Sequence, residues 1–135
     1  MGSNLPLTLS LIRSLLACFA LLTTSAIGDT WTVDDNGPAD FNNIQAAVDA
    51  ANSGDEIVVA PGTYTGTGFH VVDLKGKAIK LRSNNGPEAT IIDGQNARRG
   101  IACFNSEQSS TVIDGLTIRN CRANESIGGY DYNSN

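Results

Sequence analysis

Histidine is nearly absent from this chain of 135 residues: His70 is the only one. Neither a Ser–His–Asp relay nor a His-rich metal site can be assembled from it, so His70 reads as a coil-surface residue. Basic residues are also scarce, with 9 Lys and Arg against 14 Asp and Glu, a net charge of −5 and a pI near 4.6. That balance argues against a nucleic-acid surface, which needs cations to neutralise phosphates. Aromatic residues make up 6%, and Tyr64, Tyr130 and Tyr132 form no stacking cluster that stands out. Three cysteines, Cys18, Cys103 and Cys121, are too few for a disulfide framework. The acidic stretch Asp34, Asp35, Asn36 before Gly37 lacks the alternating spacing of a calcium loop and reads as a turn.

Long apolar runs are missing after the first 28 residues. "LPLTLSLIRSLLACFALLTTSAIG" has no acidic residue, carries Arg13 ahead of Leu15–Leu22 and ends in small residues. Its uninterrupted apolar part is too short to span a bilayer, so the expectation is a cleaved signal peptide over 1–28, or over 1–26. "LLAC" resembles a lipoprotein cleavage box, but Arg13 before it and the apolar run beyond it are wrong for that use, leaving Cys18 an apolar filler. The mature chain is then extracellular or periplasmic, without a membrane span.

Helical periodicity occurs once. Phe41, Ile44, Ala47, Val48 and Ala51 fall on one stripe, with Asn42, Gln45 and Asp49 away from it. The pattern predicts an amphipathic helix over 41–52, with Asp40 as its N-cap and Gly54 as its stop. Short β-branched runs follow, each closed by a turn signal: "EIVVAPGTY", "HVVDLKG", "AIKLRSNNG", "TIIDG", "GIACFN", "TVIDG", "LTIRN".

These runs repeat. Ile57, Ile79 and Ile101 are 22 residues apart, and "EATIIDG" (88–94) recurs as "SSTVIDG" (109–115). A meander does not repeat itself in this way, whereas a solenoid of parallel coils does. The expected register stacks Ile79 on Ile101 and Ile92 on Ile113, and puts Asp93 beside Asp114 at one corner. Ile79, Leu81, Ile92, Ile101, Cys103 and Ile113 would point inward, and Cys121 would close a strand region without bonding Cys103.

"ADFNNIQAAVDAANSGDEIVVAPGTYTG", "AIKLRSNNGPEATIIDGQ" and "TVIDGLTIRN" resemble the opening of right-handed parallel β-helix proteins of the pectin-lyase-like superfamily, in particular large bacterial secreted β-helix repeat proteins. The resemblance covers roughly Trp31 to Asn135. It implies an all-β solenoid, a right-handed parallel β-helix with the amphipathic helix capping its N-terminal end. The organisation expected is a signal peptide (1–28), an N-terminal strand and capping helix (29–56), and the first coils of the β-helix (57–135). "YNSN" (132–135) echoes "FNSE" (104–107), which ends the chain inside a coil and suggests the N-terminal part of a longer protein. Pectin methylesterases begin similarly, but "GTYTG" has Gly66 where their usual Glu would stand.

The function expected is binding or structural, at a cell surface or on extracellular polysaccharide. The alternative is a pectate-lyase-like polysaccharide lyase or hydrolase whose catalytic residues lie on further coils. The resemblance would make the acidic ladder of Asp93 and Asp114 a Ca²⁺ site; as a bare dipeptide, Asp-Gly is a solvated turn. Saccharide contacts would come from Arg82, Arg119, Tyr130 and Tyr132, while Arg98 and Arg99 read as a solvated loop. No cofactor is called for, except Ca²⁺ in the lyase-like alternative.

Overall fold

The computed structural model describes residues 27–106 and 108–123. The expected leader therefore falls almost entirely outside the described residues, as do Tyr130 and Tyr132. The described chain is a parallel β-solenoid of about three turns with one short helix. Strand β1 (Thr30–Val33) leads to helix α1 (Ile44–Ala50), then β2 (Glu56–Val59), β3 (Gly62–Tyr64) and β4 (His70–Asp73). The next coil supplies β5 (Lys80–Ser83), β6 (Thr90–Asp93) and β7 (Arg99–Ala102), and a third supplies β8 (Val112–Asp114) and β9 (Thr117–Arg119). Three sheets run along the axis, ordered β1-β2-β5-β8, β3-β6-β9 and β4-β7, and every pairing is parallel.

Alternation builds the interior. Ile57, Val59 and Leu81 are fully buried, while Glu56, Val58, Lys80 and Arg82 between them are not. The core adds Val33, Tyr64, Val72, Leu74, Ile79 and Ile92. The buried Asp55, Thr90 and Asp93 side chains are paired. Thr90 meets Ser83 at 2.7 Å between hydroxyls, and the Tyr64 hydroxyl donates to the Ala60 carbonyl at 3.0 Å. Burial, with the nearby charges of Asp35 and Asp34, pushes the Tyr64 phenol up to about 12 and keeps it a donor.

The stacking register departs from the repeat read in the sequence. Ile113 pairs with Leu81 on the four-stranded sheet, whereas Ile92 pairs with Tyr64 and Ile118 on another. Ile101 stacks on Val72, not on Ile79, which lies just before β5. Stacked partners are separated by 24 (Ile57 and Leu81) to 32 residues (Leu81 and Ile113), so a 21- or 22-residue shift falls short of a coil. "TIIDG" and "TVIDG" are alike because each ends a strand at a corner, not because they stack. Gly115, at φ 64°, turns the chain from β8 to β9 in the left-handed region that glycine tolerates.

Of the expected interior residues, Ile101 is only partly buried against the core, and two lie outside it. Ile113 is 40% exposed, because β8 ends its sheet among the described residues. Cys103 is exposed and the 4%-exposed Ala102 is the buried residue at that end of β7. Cys121 is also exposed, and no disulfide joins it to Cys103.

The helix is shorter than the periodic stripe. Asn43 is the N-cap, its side chain accepting from the Ala46 N–H. Asp40 is held elsewhere, accepting from the Thr32 N–H at 2.9 Å and hydroxyl at 2.7 Å, and Phe41 bridges to Val33. Those bonds keep 40–41 extended and delay the first turn. At the other end Lys77 Nζ donates to the carbonyls of Val48, Asp49 and Ala51 at 2.7–2.9 Å. The backbone turns extended at Ala51, with ψ 153°, which ends the helix before Gly54, and the cation satisfies carbonyls left open there. Seven residues are too few for a helix to persist alone, so burial of Ile44, Ala47 and Val48 holds it.

Replacing Ile92 by Ala should destabilise the fold by about 2–5 kcal/mol, because a packed interior leaves a cavity. Ile113→Ala should cost distinctly less, as that side chain is already 40% exposed. Urea unfolding of both variants checks the order; equal losses would mean that the two isoleucines share one environment.

Candidate functional site

The acidic ladder does not form. Asp114 lies on the four-stranded sheet in register with Arg82, whereas Asp93 lies on the three-stranded sheet in register with Arg119. The missing side-by-side contact follows from the coil length: the repeat that suggested it is several residues too short. Among the described residues no group of three or more His, Cys, Asp or Glu is placed to hold a metal ion.

Asp93 instead organises its own corner. It is 8% exposed and accepts from the Gln95 N–H at 2.8 Å, Arg119 Nε at 3.0 Å and Asn120 Nδ2 at 3.0 Å. The Gln95 amide first, then Arg119 and Asn120, hold its carboxyl below the usual carboxylate range. Arg119, expected to face a saccharide, is thus bound to the preceding coil. Arg82 is engaged too, its Nε donating to Glu56 at 2.7 Å, with Lys80 on the same carboxylate at 3.0 Å. The bond to Glu56 raises the Arg82 guanidinium above its ordinary value, and the charge of Asp114 adds to this. Arg82 still belongs to an outward row: Thr32, Val58, Arg82 and Asp114 are register partners, beside a second row of Thr30, Glu56, Lys80 and Val112. The outer face of this sheet therefore carries hydroxyls on its first strand, charged groups on its later strands and one valine in each row, at strand spacing.

A second feature is built from turn segments. The β3–β4 turn and the β6–β7 turn stack at one corner, stapled by the Arg99 N–H to Phe69 carbonyl bond at 3.0 Å. Between them lies an open cleft of about 300 Å³ lined by Thr67, Gly68, Phe69, Ala97 and Arg98. Phe69 is 73% exposed there. An apolar residue inside a run of small turn residues, "GTGFH", was the available signal. Next to this corner His70 contacts the Phe104 ring, centroids 5.4 Å apart, with its Nε2 buried and without a hydrogen bond.

No protein-family model, curated protein or solved structure matches the chain.

Stability should fall on acidification in a window set by the buried carboxylates. Asp55 is held below the carboxylate range chiefly by the Asn52 amide, and Asp93 by the Gln95 amide. A depressed folded pKa stabilises above the unfolded value of about 4 and is lost as pH drops through the lower folded value. Thermal melts of wild type from pH 6 to pH 2 should therefore decline most steeply below about 4, and Asp55→Asn should flatten that decline. An unchanged acid limb in the variant would remove Asp55 from this account.

Proposed function

We propose that this chain is part of an exported right-handed parallel β-helix protein of the pectin-lyase-like kind, binding or structural in role, at a cell surface or on extracellular polysaccharide. The observation that carries the binding reading is the outer face of the four-stranded sheet. Two rows of mainly polar groups run across its strands, from Thr30 and Thr32 through Glu56 and Val58 to Lys80, Arg82, Val112 and Asp114. Strands about 4.8 Å apart repeat donors and acceptors on a scale comparable to a sugar residue. Flat polysaccharides offer many hydroxyls and little apolar area, so such a face suits them better than a closed cavity would.

The helix fits a capping role on the same reading. Gln45 donates to the Asp73 carbonyl at 3.1 Å and accepts from the Asp73 N–H at 2.8 Å, as a neighbouring strand would. Strand β4 has β7 on one side only, so α1 stands along its other edge and satisfies it. Asp93 and Asp114 lie on different sheets with different partners and supply no paired carboxylates for the lyase-like alternative, whose catalytic residues would lie on further coils.

The tests are retention and export. The full chain should be retarded in affinity electrophoresis through an extracellular polysaccharide, and Lys80→Ala with Arg82→Ala should reduce that retardation severalfold with only a small loss in Tm, since the ion pairs to Glu56 are partly exposed. Retardation identical in the double variant would sink the face assignment. On expression with an export pathway, intact mass should show loss of residues 1–26 or 1–28. A secreted product that retains Met1 contradicts the leader.

A further inference from the structure

We infer that Asn85 is a site of spontaneous covalent modification, losing ammonia to attack by the Gly86 backbone nitrogen, while the fold holds back the same reaction at Asn36–Gly37. This goes beyond the sheet-face reading and does not depend on it.

The chain has two Asn-Gly pairs, and proline follows each: "NGP" stands at 36–38 and again at 85–87. The reaction is intramolecular. The glycine nitrogen gives up its proton and attacks Asn Cγ; the new N–Cγ bond replaces the Cγ–Nδ2 bond, and ammonia leaves with that proton. Water then opens the five-membered imide at either carbonyl, leaving aspartate or isoaspartate. Glycine suits the second position because no Cβ crowds the closing ring. The chemistry asks for a carboxamide free to swing, an unengaged N–H on the next residue, and no charge opposing loss of that proton.

Asn85 meets all three demands. It is exposed, and its side chain makes no hydrogen bond among the described residues. The Gly86 N–H likewise donates to nothing there, although the Gly86 carbonyl accepts from Ser83 Oγ at 3.1 Å and from the Ala89 N–H at 3.3 Å. No carboxylate is hydrogen-bonded to either residue of the pair. Asn36 is equally exposed but fails each demand. Its Nδ2 donates to Asp35 Oδ1 at 2.7 Å, which ties the carboxamide away from the chain ahead. The Gly37 N–H donates to Asp34 Oδ1 at 2.9 Å, an oxygen that also takes the Asn36 N–H. Deprotonating Gly37 would set a second negative charge against that carboxylate.

The susceptible pair joins β5 to β6 beneath the next coil, where a Cβ at Gly115 would stand 3.8 Å from Gly86 Cα. Its product adds a carboxylate at a packed corner and, as isoaspartate, one extra backbone methylene.

Ageing the folded full chain in mildly alkaline buffer at physiological temperature, with peptide mapping by fragmentation, tests this. A mass gain of about one dalton should accumulate at Asn85 at least about tenfold faster than at Asn36, because engaged donors must first be released there. In urea the two pairs should react within about threefold of each other, since only the fold separates them. Asn85→Gln should abolish the gain at that peptide. Asp34→Ala should bring Asn36 to within about threefold of Asn85, whereas Asp34→Asn, which keeps an accepting oxygen, should leave Asn36 slower. Equal rates in the folded chain, a faster Asn36, or no reaction at Asn85 while the urea sample converts overturns the inference. So does a tenfold preference that survives unchanged in urea, because the fold would then not be its cause.

Discussion

The Asp55 carboxylate is the point on which the first turn of this solenoid depends. Its two oxygens, 4% exposed as a residue, accept from the Asp29 N–H, Trp31 Nε1 and the Asn52 N–H at 2.8–3.1 Å. One side chain thereby joins the entry to β1, the aromatic on its surface and the exit from α1. The Asp55 carbonyl also accepts from Lys80, which passes the register on to β5. Burying a carboxylate is costly unless its lone pairs are filled, and here three donors fill them. Lys77 complements it from the next coil, with its ammonium on the carbonyls of Val48, Asp49 and Ala51 at the helix end. The single helix and the first two coils are thus held by charge-assisted bonds at the places where strand pairing cannot reach.

From there the structure propagates by parallel pairing, and its surfaces divide by what pairing leaves over. Inward positions carry the aliphatic ladders. Outward positions on the four-stranded sheet carry Glu56, Lys80, Arg82 and Asp114, with Lys80 and Arg82 both paired to Glu56 and Asp114 in register with Arg82. Corners are where coils differ in length, so they absorb the variation from 24 to 32 residues between stacked partners. They also hold the polar knots, such as Asp93 with Gln95, Arg119 and Asn120, and the cleft at Phe69 and Arg98.

The solenoid was legible because β-branched runs punctuated by Gly and Asn turns leave few other options. The buried faces of α1, β2 and β5 were also legible, as Ile44, Ala47, Val48, Ile57 and Leu81 follow their local periods. The stacking was not. "TIIDG" and "TVIDG" share a turn requirement, and a turn requirement recurs at every corner, so similarity there does not say which corner sits above which. Gly100 shows what does decide it: a Cβ at that position would come within 2.5 Å of Ile118 Cγ2 and 3.1 Å of Cys121 Sγ. That steric match lies between coils and leaves no local pattern in either segment.

Local physics therefore settled the class of fold: strand-length alternation, one apolar helical stripe and turn residues at the breaks admit a parallel solenoid and little else. Tertiary structure alone decided the partners. Asp40 turned from helix cap to strand clasp because Thr32 came within reach, and Asp93 met Arg119 instead of Asp114 because coil length set the register. Phe69 and Arg98 became neighbours for the same reason, two turns 29 residues apart brought together by the stacking of β4 on β7. Hydrogen-bond partners across coils depend on loop lengths summed over a whole turn, and no short stretch of sequence carries that sum.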